Sequence, residues 1–257
     1  MQNVKKYLII MVAITFGVAV IAACITLFSV KKVSADFSVY GDSQAESIQE
    51  DLDALKGRNM IFLKSADVYA ICEKYPYYEI TSVVKQYPNV LQISVRKRTE
   101  TFTVEYGDKT FVLDEEGVVL NETGKTEFPQ NVVSVSLGEL QIKGACAGGK
   151  IATTDDGLFY SFLKAFRAVG FNAVVKAVDL QLDFDGENYK GRAVFHTCTG
   201  VEIKILNFED DGENKIKAAF EKYETLRDYE KTAYSLIVLK NVNTGEIYAD
   251  WSEETEI

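Results

Sequence analysis

Between Tyr7 and Val30 the chain carries no charged side chain, and lysines bracket the run: Lys5 and Lys6 before it, Lys31 and Lys32 after it. About 23 residues of helix rise roughly 35 Å, enough to cross the hydrocarbon of a bilayer. A short tail (1–7), a membrane helix (8–30) and a large body are therefore expected. Lysines match on the two sides, so charge asymmetry does not orient the helix. A short tail before the span and a long body after it are most simply an uncleaved signal anchor, with the body outside. Two other readings stay open. A cleaved secretory peptide would have an apolar core of about 7–15 residues ending in small residues; this run is longer and closes on Leu27-Phe28-Ser29-Val30. Ile21-Ala22-Ala23-Cys24 also looks like a lipoprotein acylation site, although the apolar run continues past Cys24.

The body is acidic. Residues 1–32 hold four lysines and no acid, leaving 24 basic against 38 acidic side chains in 33–257, a balance of −14. Such a body is a poor partner for nucleic acid or for an anionic lipid face. Of the four cysteines, Cys24 lies in the apolar run, and Cys72, Cys146 and Cys198 are scattered without a Cys-x-x-Cys spacing. A disulfide framework is not expected; Cys72 reads as a small buried hydrophobe.

After the apolar run, alternation from Val33 to Tyr40 predicts a strand closed by Gly41. Ser43-Gln44-Ala45-Glu46 has capping-box spacing and predicts a helix with Ala45, Ile48, Leu52 and Leu55 inward, ended by Gly57. The loop Gly57-Arg58-Asn59-Met60-Ile61-Phe62-Leu63 carries apolar anchors. Ser65 is then expected to cap a second helix with Val68, Ile71, Cys72 and Tyr75 inward. Ile80, Val83 and Val84 form a β-rich run. Leu91, Ile93 and Val95 alternate with Gln92, Ser94 and Arg96, and Tyr87-Pro88-Asn89 between the runs supplies turn chemistry. The pair reads as a hairpin.

Residues 33–100 thus read strand, helix, helix, strand, strand. Gly57, Asn59, Met60, Ile61 and Leu63 in the loop, with Pro88, Leu91, Ile93 and Val95 in the hairpin, resemble the POTRA module of the FtsQ/DivIB bacterial cell-division family. That module likewise follows a single membrane anchor. One departure is that Lys97-Arg98-Thr99-Glu100 stands where the family has Glu-Arg-x-Pro.

Residues 101–251 read as a second, β-rich domain with two helices, and 252–257 as a tail. Thr101–Tyr106, Phe111–Leu113, Val118–Leu120 and Val132–Leu137 are short strands around the Gly107-Asp108 and Asp114–Gly117 turns. Ala145–Thr154 is a Gly- and Ala-rich loop. Thr154-Asp155-Asp156-Gly157 opens a helix with Leu158, Phe159, Phe162, Leu163, Phe166 and Val169 on one face. Three strands follow (Val174–Asp183, Tyr189–Thr197, Gly200–Leu206). A helix at Asp211–Leu226 comes next, with Ile216, Ala219, Phe220, Tyr223 and Leu226 inward, and then a last strand pair, Ser235–Leu239 and Glu246–Trp251. The fold class is α+β. The order also resembles the second domain of the FtsQ/DivIB family, as does the Leu-Asp-x-x-Gly turn at Leu113.

No enzyme motif emerges. His196 and Cys198, two apart, would share a strand face, but a dyad lacks an orienting third group. A calcium loop at Asp183 fails at Asn188, where glycine is required, and at Val194, where a glutamate should sit. Asp114, Glu115 and Glu116 read as a solvated turn. No catalytic residue, metal site or cofactor is expected. Surface and edges remain. A terminal strand can accept a partner's strand; the candidate is Glu246–Trp251, with Ile247, Ala249 and Trp251 on one face and Tyr248 and Asp250 on the other.

The resemblance implies a non-catalytic divisome scaffold at the septum. Its partners would be FtsB/FtsL-like coiled-coil division proteins, through these C-terminal strands, and its role to help control septal peptidoglycan synthesis. Neither nucleic acid nor a small-molecule substrate is expected. Rival readings are a lipoprotein or membrane-anchored protein binding an extracellular ligand, and a thiol enzyme using Cys198 and His196.

Overall fold

A computed structural model describes residues 2–38, 42–124, 132–170, 174–184, 189–227, 231, 235–241 and 244–252. Two compact units, Met1–Arg98 and Thr99–Ile257, follow one another along the chain.

The first unit opens with helix α1, Gln2–Leu27. Its window Ile10–Leu27 has a mean hydropathy of 2.6 and none of it is buried, so apolar side chains face outward all round. This is what a helix solvated by lipid requires. Strand β1 (Lys32–Phe37), helices α2 (Ser43–Asp53) and α3 (Ser65–Cys72), and strands β2 (Tyr78–Gln86) and β3 (Val90–Lys97) follow. The sheet order is β1-β3-β2, with β1 parallel and β2 antiparallel to the central β3. Leu91, Ile93 and Val95 of β3 are buried, and Ile48, Leu52, Val68 and Cys72 of the two helices belong to the same core. The expected strand–helix–helix–strand–strand order is therefore present. The turn between β2 and β3 contains a cis Tyr87–Pro88 peptide.

Two expected helix caps are replaced. Asp42, not Ser43, caps α2, its carboxylate accepting the Gln44 amide at 3.0 Å. The same side chain also accepts from the Tyr78 hydroxyl and from Lys97 Nζ, each at 2.7 Å. An ionised acceptor held by tertiary donors outweighs a serine box. The cap of α3 is Lys64 rather than Ser65, with no side-chain bond. The expected strand end at Val39, Tyr40 and Gly41 lies outside the described residues.

In the second unit, β4 (Phe102–Tyr106), β5 (Lys109–Leu113), β6 (Val119–Gly124) and β7 (Val133–Ser136) precede a small pair, β8 (Ile142–Gly144) and β9 (Ala152–Thr153). Then come α4 (Asp156–Val169), β10 (Val175–Phe184), β11 (Tyr189–Thr197), β12 (Glu202–Leu206), α5 (Gly212–Glu224), β13 (Ser235–Lys240) and β14 (Ile247–Ser252). Nine of these strands join in one sheet, order β14-β13-β12-β11-β10-β7-β4-β5-β6. Here β7 pairs in parallel with both β4 and β10, and β13 with β12. The stretch read as a loop, Ala145–Thr154, holds β9 and bonds back to the turn before β6 and to β6 itself: Val119 donates to the Gly149 carbonyl and Ile151 to that of Gly117.

Helix α4 is capped by Asp155, whose carboxylate accepts the Leu158 amide, and ends at left-handed Gly170. Its apolar face drives Phe159, Phe162 and Phe166 into the core. Phe166 stacks on Phe195 of β11 with centroids 6.0 Å apart and planes 6° from parallel; Phe220 of α5 meets the same ring edge-on.

Candidate functional site

Helices α4 and α5 cover one face of the large sheet, which buries Phe195, Ile203, Ile205, Leu236 and Val238. On the other face the side chains alternate outward, and across β10–β12 most are charged or polar, with Val194 of β11 between Asp179 and Lys204. Arg192 lies against Gln181 and Asp183, and Lys204 against Glu202. His196 is set between Asp179 at 2.8 Å and Glu202 at 3.5 Å. This histidine is thus taken up by carboxylates on the two flanking strands. Cys198, expected to share its strand face, instead lies in the turn beyond β11, where its amide donates to the Val174 carbonyl. Asp114 is a structural acid: buried, it accepts the Glu116 and Val118 amides at 2.9 and 2.8 Å and shapes the turn. Of the calcium-loop segment, Asp185–Asn188 lie outside the described residues, and its two ends belong to β10 and β11.

The open face changes character at the terminal hairpin. Strand β14 pairs antiparallel with β13 in the register Lys240↔Ile247, Leu239↔Tyr248, Val238↔Ala249, Ile237↔Asp250 and Leu236↔Trp251. Ile247 and Ala249 pack against the core. Leu239 and Tyr248, directly opposite each other, are 44 % and 45 % exposed, and Ile237, two residues along β13, lies on the same face. The Tyr248 hydroxyl donates to Glu246 at 2.6 Å. Trp251 is in β14; its side chain lies outside the described residues. Among the described residues β14 has no second strand neighbour and so forms an edge of the sheet. Of the expected site, Ile247 and Ala249 turn inward, and Tyr248 and Asp250 are exposed. Leu239 was not among the expected residues, although counting back through the Asn241–Gly245 turn from Tyr248 reaches it.

These features define a membrane-anchored α+β protein in which β14 is one edge of the large sheet. The chain is FtsQ/DivIB-like: over 111 residues it is 26 % identical to "Cell division protein DivIB" of Clostridium acetobutylicum, a match covering 43 % of this chain. The chain spans about two-fifths of the length of that curated relative. The solved major extracytoplasmic domain of the trans isomer of DivIB from Geobacillus stearothermophilus overlays 51 % of this chain and 98 % of its own. Identity is 15 % and the TM-score is 0.30. No family model matches the chain.

Proposed function

We propose that the protein is a non-catalytic scaffold of the divisome, of the FtsQ/DivIB type. Residues 8–30 anchor it, residues 33–100 form a POTRA domain and residues 101–251 a partner-binding domain, both outside the cytoplasm. It bridges FtsB/FtsL-like coiled-coil division proteins at the septum and helps to control septal peptidoglycan synthesis. The observation that carries this reading is the β14 edge with the exposed Leu239–Tyr248 pair beside it. A partner strand added to β14 would gain main-chain hydrogen bonds and lay its own side chains against Tyr248 and Asp250. The surface it covers holds an aromatic, the kind of residue that dominates interface energetics.

The test is co-purification of the full-length chain with its coiled-coil partners from membranes, together with the localisation of a chain tagged at its N-terminus. Tyr248→Asp and Leu239→Asp should each lower recovery of the partners about tenfold or more while leaving thermal unfolding unchanged, because both side chains are exposed. Trp251→Ala should act in the same direction. Unaltered recovery in all three variants, or uniform staining of the envelope in dividing cells, would overturn the reading.

A further inference from the structure

The last turn of α1 and the loop that follows α2 are stitched together. Asn59 sits at the centre. Its Nδ2 donates to the Ile25 carbonyl at 3.5 Å, while Met60 donates to the Phe28 carbonyl at 2.8 Å. Val30 donates to Arg58, and Gly57 to Val30. Asn59 also shapes the loop from within: its Oδ1 accepts the Ile61 amide at 2.9 Å, and its carbonyl accepts those of Phe62 and Leu63. Met60 and Leu63 are thereby buried in the core, whereas Ile61 and Phe62 between them are turned out, 50 % and 76 % exposed. The β2–β3 turn is tied to the same place. Lys31 and Lys32 donate to the Asn89 carbonyl, and Tyr87, 58 % exposed, stands edge-on to Phe28 with centroids 5.9 Å apart.

Two adjacent large apolar side chains turned out of one loop make an exposed patch that calls for an account, as a single exposed residue would not. The height of the patch gives one. Ile25 belongs to the apolar window of α1 that ends at Leu27, about 3 Å further along the helix axis. A loop bonded to the Ile25 and Phe28 carbonyls therefore stands at the level where hydrocarbon gives way to headgroups. Aromatic side chains with a polar tip or neighbour favour that level, and long cations there reach outward to water. Tyr87 is of the first kind; Lys31, Lys32 and Arg58, all exposed, are of the second.

We infer that Ile61 and Phe62, with Tyr87 and Phe28, insert into the interfacial layer of the bilayer. The first folded unit then rests on the lipid surface and is held there by two segments besides its helix. This rests on the membrane anchorage of α1. Apolar insertion also suits an acidic body, for which charge attraction to lipid is unavailable.

The full-length chain is placed in phosphatidylcholine nanodiscs with and without lipids brominated near the headgroup end of the acyl chains. Trp251→Phe supplies a background without tryptophan, and Phe62→Trp, Ile61→Trp and Phe16→Trp are compared in it. Phe16→Trp reports the anchor alone. The expected result is that brominated lipid lowers Phe62→Trp and Ile61→Trp emission about twofold or more, with Phe16→Trp quenched as well. Quenching at Phe16→Trp without quenching at either loop position would overturn the inference and leave the anchor standing. No quenching at any of the three would overturn both.

Discussion

Gly191 of β11 lies beneath Leu158 of α4 so closely that a Cβ on the glycine would stand 2.2 Å from the leucine Cδ1 and 2.8 Å from Phe208 Cε1. The approach is fixed from both sides. The Leu158 amide is held by the Asp155 cap, and the Gly191 amide donates to both oxygens of Glu209 at 2.9 and 3.0 Å. Gly191→Ala must displace the Leu158 and Phe208 side chains that cover it. Overpacking of this kind costs about 1–3 kcal/mol. Urea unfolding of the second unit should show it, with Gly124→Ala, which meets nothing within 4 Å, as the control that stays near wild type.

Phe195 is the ring on which both helices converge: Phe162 and Phe166 of α4 lie 6.2 and 6.0 Å from it, and Phe220 of α5 lies 6.0 Å away. Phe195→Ala opens a cavity that three aromatic neighbours on two elements cannot all close. The expected loss is about 3–5 kcal/mol, whereas Phe195→Leu, which keeps most of the volume, should lose less than half of that. Calorimetry on the two variants would separate cavity formation from a general loss of aromatic content.

What the sequence disclosed depended on range. The β3 alternation and the α4 stripe were legible because each face can be read from neighbours two, three or four residues apart. The joining of nine strands was not: β7 sits between β4 and β10 through two parallel pairings, and nothing local in Val133–Ser136 encodes either partner. The α2 cap lies one residue before the one the sequence predicts, because Ser43 fits the local box, while Asp42 is selected by Lys97 and Tyr78, far along the chain. Tyr248 reads from the sequence as an edge aromatic, but its partner Leu239 emerges only with the hairpin register. Ile61 and Phe62 read as loop anchors; only the bonds from Asn59 and Met60 to the end of α1 show that they point out of the core.

Lys215 of α5 is 1 % exposed and donates to the Leu206 and Asn207 carbonyls at 3.0 and 2.6 Å. It closes the end of β12, where Asn207 takes a positive φ of 47°. Lys215→Met takes a charged donor from both carbonyls, leaving that of Asn207 with the Asp210 amide at 3.2 Å, and should destabilise the second unit by about 1–3 kcal/mol at neutral pH. Burial lowers the lysine's pKa from its ordinary 10.5, so the folded form holds this proton less tightly than the unfolded one. The cost of the buried charge therefore falls as pH rises through the folded value toward 10.5. The stability gap between wild type and Lys215→Met should widen on going from pH 8 to pH 10; a gap that narrows would contradict a lysine pKa lowered by burial.

Asp42 joins α2 to the sheet. Hydrogen bonds from Lys97 first, then from Tyr78 and the Gln44 amide, hold its carboxyl down at about 2 against an ordinary 3.8. A depressed acid contributes stability that is complete above the unfolded value and is lost as pH falls through the folded one. The first unit should accordingly weaken between about pH 4 and pH 2. Asp42→Asn keeps an acceptor for Gln44 but removes the charge, so it should unfold at a lower temperature than wild type at pH 7, with the difference vanishing near pH 2. Tyr78 responds at the other extreme: burial first, and the bond to Asp42 second, push its hydroxyl up to about 12. Tyr78→Phe should thus cost about 1 kcal/mol at neutral pH and erase the alkaline loss that wild type suffers as pH climbs from 10 through 12. Thermal melts of the full-length chain in detergent across both ranges would check this. Parallel acid profiles for wild type and Asp42→Asn would show that the carboxylate does not hold the two elements together.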